Sequence, residues 1–442
     1  MKRSWVIVAG LILARGGLSA AAEAEDQWGY WRGPWATGVA PRSDAPLAWS
    51  ATEKIKWRLD VPGLGFSTPI VWEDKIFLTS AVPVFPAGVE PTPRPRGIFG
   101  EQQPTIPERF MVLCVDRATG AIVWERVAIE TIPHEGHHSA LSSYANASPV
   151  TDGERVYVNF GSRGLYAYDL EGNLLWSRDF GVKMRVFNRF GESCSPALYD
   201  NTLVLQFDHD AGSFAAAVDK RDGSLLWRID REENTSWTSP HILVHDGRPQ
   251  VVLNGTNFVR GHDLATGDLI WKFTGMTRGV IPTPVSGLGM VFVASGTNGQ
   301  AMKAVRLGGS GDLTGTPWEV WGLTKGTPYN PTPLLWGEEL YLIKDQTRGG
   351  TFVSCFNART GEAYYEQARL PQPYTIKASP VGAGDKIYLL SEEGDAIVLR
   401  RGPTFEVLSI NPMGEMFLAS PAVAGGELYL RSRERLYCVS AQ

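Results

Sequence analysis

The sequence is poor in the features that mark several large classes of function. Acidic residues outnumber basic ones for a formal charge of −5. No Lys/Arg run appears, which argues against a polyanion-binding surface and against a nucleic-acid partner. The apolar run from Trp5 to Ala14 is too short to span a bilayer, and no later stretch is long and apolar enough to do so. Cysteines number four and none are adjacent. Nucleophile elbow, phosphate loop and dinucleotide fingerprint are all missing; Gly296-x-x-Gly299 reads as an ordinary turn.

What is present begins with a targeting pattern. Lys2 and Arg3 precede the apolar run, and Ala20-Ala21-Ala22 offers a small-x-small cleavage site. Residues 1–22 read as a signal peptide. The mature chain is expected to be exported and soluble, periplasmic in a Gram-negative source, with no cysteine at the cleavage site for a lipid anchor.

The rest is organised by one phrase, clearest as Ser-Pro-Ala-Val-Ala-Gly-Gly-Glu-Leu-Tyr-Leu at Ser420 to Leu430. Its proline recurs at Pro69, Pro149, Pro196, Pro240, Pro284, Pro333, Pro380 and Pro421, each after Ser or Thr. Beyond the first gap of 80 residues, the spacing is 41 to 49. A period in that range with strand-like pieces inside it signals a β-propeller. The fold class predicted is all-β: eight four-stranded antiparallel blades, one per repeat.

Within each repeat, a short innermost strand A follows the proline. A Gly-containing turn leads to strand B, rich in Val, Ile, Tyr and Phe. Strand C follows, then an Asp-x-x-Thr/Asp-Gly turn, as at Asp116–Gly120, Asp219–Gly223 and Asp263–Gly267. Strand D ends near a tryptophan: Trp124, Trp176, Trp227, Trp271, then Trp318 or Trp321 in blade 5, with Phe405 standing in for it in blade 7. Cys114, Cys355 and Cys438 fall in a strand C slot that elsewhere holds Ala167, Ala217, Gly261 and Ala304. The slot demands a small residue, and Cys serves as a small hydrophobe; no disulfide is expected.

Residues 23–442 therefore form one propeller domain. Trp28, Trp31 and Trp35 are expected to anchor the leading segment on it. Lys54–Asp60 resembles a strand D without a blade, whereas the last repeat stops after strand C, so this segment is predicted to complete blade 8 and close the ring. An insertion at 81–109 carries seven prolines and no period, an extended loop between strands B and C of blade 1.

Alternating strand direction puts the D-to-A and B-to-C loops on one face, the top, and the regular turns on the bottom. Long irregular loops collect on top, where function on a rigid scaffold usually lies. The candidate ligand-binding residues there are His134, Glu135, His137, His138, Arg163, Arg189, Glu192, His209, Asp210, Trp237, Asn298, Asp345 and Glu392. Mixed charges with aromatics suit a polar ligand such as a sugar, or the loop of a partner protein; solvated loop residues that bond their own backbone are the plain alternative. His134-Glu135-Gly136-His137-His138 formally matches His-Glu-x-x-His, but that chemistry needs a helix. This copy follows Pro133, contains Gly136 and sits in a loop. Histidines bracing the loop are the favoured reading over a loop metal site with His209 or Asp210. No metal site is assigned.

These repeats resemble the PQQ-like, quinoprotein alcohol dehydrogenase-like β-propeller family from about Trp28 to Gln442. Trp28 to Pro34 and the His134–His138 segment are similar to exported members. The resemblance implies one of two activities. True quinoprotein dehydrogenases hold pyrroloquinoline quinone and calcium, and many stack the quinone under a vicinal disulfide. This chain has no adjacent cysteines and no Cys-x-x-Cys-His haem site. BamB-like members lack the cofactor and act as binding scaffolds. The expectation is a non-redox scaffold that binds a protein partner or polar ligand and has no cofactor. The alternatives are a PQQ/Ca-dependent dehydrogenase, or a carbohydrate-active enzyme. In the latter, His134, His137, His138 or His209 would act as base, and Arg163 or Arg189 would neutralise an acidic sugar.

Overall fold

The Ser/Thr that precedes each repeat's proline ties the molecule together. In the computed structural model, which describes residues 24, 26–86, 88, 103–345 and 350–441, the amide of one such residue donates to the hydroxyl of the next around the axis. The chain of bonds runs Thr68 to Ser148, Ser195, Ser239, Thr283, Thr332, Ser379 and Ser420, each 2.9–3.2 Å. Both groups are buried, so each bond satisfies a donor that water cannot reach.

Outward from this girdle stand eight antiparallel sheets in sequence order. Blade 1 is Ile70–Trp72, Lys75–Pro83, Glu108–Asp116 and Ile122–Thr131. Blade 2 is Val150–Thr151, Arg155–Asn159, Leu165–Asp169 and Leu174–Arg178. Blade 3 is Ala197–Tyr199, Thr202–Phe207, Phe214–Asp219 and Leu225–Asp230. Blades 4 to 7 repeat the order as far as Val407–Pro412, and the A strands of neighbouring blades meet around the axis. In blade 8, Ile55–Asp60 pairs antiparallel with Arg435–Val439, so an N-terminal strand closes the ring as predicted. Two blades carry a fifth strand that the repeat does not announce. Gly311–Asp312 adds to the outer edge of blade 4, and Val39–Ala40 to the inner edge of blade 7.

The strand D tryptophan explains both the turn glycine and the small slot. Trp57 donates its indole N–H to the Arg117 carbonyl of the next blade, and Trp124, Trp176, Trp227 and Trp321 repeat the contact. A Cβ on Gly120, which has φ +75°, would stand 2.5 Å from the Trp57 ring. The small slot lies directly opposite the ring: Cys114 faces Trp124, Ala217 faces Trp227, and Cys438 faces Trp57. The four cysteines are free and buried. Of the two blade 5 candidates, Trp321 takes the position. The blade 7 expectation is corrected: Phe405 precedes the strand and packs on Tyr365, while Ser409 faces the larger Val398. Every strand D also bulges just before this position. In the seven blades where strand D is outermost, the bulge kinks the free edge and discourages edge-to-edge pairing; in blade 4 Gly311–Asp312 covers that edge instead.

Two further differences concern the first 110 residues. The insertion expected at 81–109 is shorter, because strands B and C of blade 1 pair all the way to Pro83 opposite Glu108. Most of what remains, like the segment expected to be a signal peptide and residues 346–349, lies outside the described residues. The leading segment does more than anchor. Trp28 bridges antiparallel to Val71 of blade 1, Gly29 accepts from Thr151 of blade 2, and Val39–Ala40 runs parallel to strand A of blade 7. Residues 28–40 thus cross the central channel as a hairpin inserted from the bottom. At its tip Arg32, 1% exposed, donates to the carbonyls of Pro380 (2.7 Å) and Pro333 (3.4 Å). Among the described residues no carboxylate faces it, and burial pulls its pKa down to about 9.

Candidate functional site

The top-face loops of blades 1 to 3 gather most of the predicted residues. Glu192 is the hub. Its Oε1 accepts from Arg163 Nη1 at 2.5 Å, its Oε2 accepts from the Ser162 amide, and His134 Nε2 lies 3.9 Å away. The Arg163 guanidinium also lies over the rings of Phe110 and Tyr144, at 5.4 and 5.6 Å. Pro133 and Gly136 keep the His134–His138 segment out of a helix, and its side chains diverge. His134 Nε2–H donates to the Met184 carbonyl at 2.7 Å. Glu135 Oε1 accepts from the Val186 amide at 2.9 Å. His137 stands edge-on to Tyr144, and His138 Nδ1 accepts from the amides of Ala140 and Leu141. A His-Glu-x-x-His metal centre is therefore not assembled.

Burial dominates the electrostatics. It lowers the pKa of His134, with Arg163 acting in the same sense and the Met184 carbonyl and Glu192 opposing. It likewise lowers His138 and His209, which keeps these imidazoles neutral at pH 7. It raises the Glu135 carboxyl, reinforced by Glu192 and opposed by the Val186 bond, Arg163 and Arg189.

The neighbouring loops continue the network. His209 Nδ1 accepts from the Ala211 amide, leaving its buried Nε2 without a hydrogen-bond partner. Asp210 caps Thr235 through both amide and hydroxyl. Trp237 donates to the Gly191 carbonyl at 2.7 Å and stacks with Phe190. Arg189 lies in the same loop with a left-handed backbone, φ +54°. The remaining three candidates stand apart. Asn298 is an exposed residue at φ +51° in the blade 5 B-to-C turn. Asp345 forms a buried ion pair with Lys377 at 2.8 Å, and Glu392 sits near Lys377 with its carboxyl pushed up by burial.

Between blades 1 and 3 the hub borders a partly open cavity whose inner space is about 20 Å³, room for a water or so. Glu135, Tyr144, Asn146, Phe160, Arg163 and Glu192 line it, with Cys194, Gln206 and Phe207 deeper in. Gln206 was missed from the sequence, as was Arg231, which pairs with Asp208 at 2.8 Å beside it. The available signal was polar residues where strand B should be apolar, in Leu205-Gln206-Phe207-Asp208. Among the described residues, no group of three His, Cys, Asp or Glu is arranged to hold a metal ion.

The sequence matches the family model described as outer membrane protein assembly factor BamB, over residues 108–348 and 215–442. The chain belongs to this PQQ-like propeller family. No curated protein matches the chain. Among solved structures, the BamB-type chain is similar to BamB from Moraxella catarrhalis, at 15% identity and TM-score 0.54, covering 83% of this chain and 97% of that one. It is also similar to quinohemoprotein alcohol dehydrogenase from Comamonas testosteroni, at 10% identity and TM-score 0.63, covering 96% and 82%. At these identities both likenesses show the propeller fold and nothing about a shared activity. No helix among the described residues is long and apolar enough to cross a membrane.

Proposed function

We propose that this propeller is an exported, non-redox scaffold that works in the periplasm and binds a protein partner, or a polar ligand such as a carbohydrate, through its top-face loops. The observation that carries the reading is the braced state of those loops. His134, Glu135, His138, Arg163, Glu192, Asp210 and Trp237 are each held by backbone groups or by one another. A surface already ordered in this way loses little conformational freedom when a partner docks, which favours affinity. Kinship with an assembly factor agrees with a binding role.

The two enzymatic alternatives have less support. For a quinone-dependent dehydrogenase, the hairpin bearing Arg32 already takes up the space between the A strands on the axis. For an acidic-sugar enzyme, Arg163, one of the two arginines expected to hold the sugar's carboxylate, is already engaged by Glu192.

A photo-crosslinking side chain at exposed Leu141 on the top face, compared with one at Leu226 on the bottom rim, tests the proposal in the native compartment. Adducts are expected from Leu141; adducts from Leu226 alone would move the binding face to the other end. In parallel, adding PQQ with Ca²⁺ is expected to leave Tm unchanged. A ligand at a hundredfold excess over Kd stabilises by about 2.7 kcal/mol, so a clear upward shift would instead make the chain a quinoprotein.

A further inference from the structure

The cavity beneath the Arg163–Glu192 pair has hydrogen-bonding capacity of one kind left over. Gln206 is 2% exposed, and its Nε2 turns to Asp208 (2.6 Å), Ser236 and the Asn254 carbonyl. Its Oε1 is left with no hydrogen-bond partner, on a side chain that lines the cavity. A buried amide oxygen without a donor is costly, so a donor is wanted there. Glu135 spends Oε1 on Val186, and its Oε2 receives no hydrogen bond from the described residues. The ionisable lining is Glu135, Glu192 and Arg163, two carboxyls against one guanidinium. Around them stand Tyr144, Phe160 and Phe207, and the ring of Tyr144 already carries one cation, Arg163. Acceptors, a negative balance and aromatic walls together call for a cationic donor. Size narrows the choice: a space for about one water suits a compact ammonium and not a planar guanidinium.

We propose that this cavity is a binding site for a primary ammonium group, held by Glu135 and the Gln206 Oε1 between aromatic walls. The proposal deepens the scaffold reading and rests on it: on a protein partner, the group is a lysine side chain entering from the top face. Met184, Ala147 and Phe160 give apolar cover to its methylene stem. The charged groups facing Glu135 are Glu192, Arg163 and Arg189, with the neutral imidazole of His134 beside them. Because burial raises the empty site's Glu135, an arriving ammonium favours its ionised form. Binding therefore tightens as pH rises through the range in which that carboxyl titrates.

The test is calorimetric titration of the mature chain with three probes: an acetylated and amidated Gly-Lys-Gly peptide, the same peptide with its lysine Nε-acetylated, and putrescine. Saturable binding of the lysine peptide, at least tenfold tighter than its acetylated form, is expected. Glu135→Gln keeps an acceptor for the Val186 amide and should weaken binding about tenfold with Tm little changed. Equal binding of the acetylated peptide, an unaffected Glu135→Gln variant, or no binding of either amine would overturn the site. Putrescine binding as tightly as the peptide identifies a free amine as the ligand; preference for the peptide identifies a partner's lysine. Loss of the ammonium site would leave the Leu141 crosslinks untouched, so the two readings fail separately.

Discussion

At the scale of single residues, the hydroxyl before each proline has a role that turn chemistry alone does not require. Ser195 Oγ accepts the Ser148 amide at 2.9 Å, and the Ser195 amide passes the pattern on to Ser239. Both Ser and Thr occupy this position around the ring, since either supplies the oxygen. Ser195→Ala removes the acceptor and leaves a buried N–H unpaired, at a cost of about 1–3 kcal/mol. Ser195→Thr should stay within about 1 kcal/mol of the native protein, because Thr68, Thr283 and Thr332 already fill the equivalent position. Urea unfolding of the two variants checks the claim. Equal losses would mean that packing, not the hydrogen bond, governs the position.

At the scale of elements, the N-terminal region contains two pieces with different duties. Ile55–Asp60 closes the ring, with Trp57 docked on the next blade through the Arg117 carbonyl. The hairpin of residues 28–40 lies in the channel and contributes no strand to closure. A chain beginning at Ser50 should therefore keep a cooperative thermal transition and native far-UV circular dichroism, with a lowered Tm. A chain beginning at Pro62 exposes the edges of blades 8 and 1 and should lose the cooperative transition altogether. If the shorter chain unfolds as cooperatively as the longer one, the closing strand is dispensable and this account of the ring is wrong.

At the scale of the whole molecule, the buried histidines set the response to acid. His241 and His262 are each 5% exposed, and burial, the largest cause, depresses both to about 4 from 6.5. Arg32 adds to the effect at His241; Arg231 and Arg260 add to it at His262, where the Gly267 carbonyl and Asp268 oppose it. In this window the unfolded chain binds more protons than the folded one. Stability is therefore full above pH 6.5 and falls as pH drops toward 4, by on the order of 2–3 kcal/mol per histidine. The raised carboxyls of Glu135, Glu233 and Glu392 act in the opposite sense, so total stability mixes the two. The informative comparison is His241→Gln against the native chain: the decline in Tm from pH 6.5 to 4 should shrink. An unaltered decline would place the acid sensitivity elsewhere.

The sequence by itself determined the architecture. Blade number, strand order, the closing strand, the small slot and the turn glycines recur with a period, and each copy must satisfy the same local packing, so one reading serves eight times. It also placed His134, Glu135, Arg163 and Glu192 on one face, because strand direction alternates regularly. What the repeat could not carry was anything present once. The Trp28-to-Pro34 motif does not say where the hairpin bearing Arg32 goes, since its partners are the Pro333 and Pro380 carbonyls some three hundred residues away. Gln206, with its unpartnered oxygen, acquires meaning only when loops from blades 1 to 3 meet above it. Phe405 misled because an aromatic in roughly the right place does not fix register; the bulge and the size of Val398 do. Periodic contacts are written locally and can be read along the chain. The cavity, its charge balance and the blocked channel arise from long-range contacts, which only the folded chain brings into being.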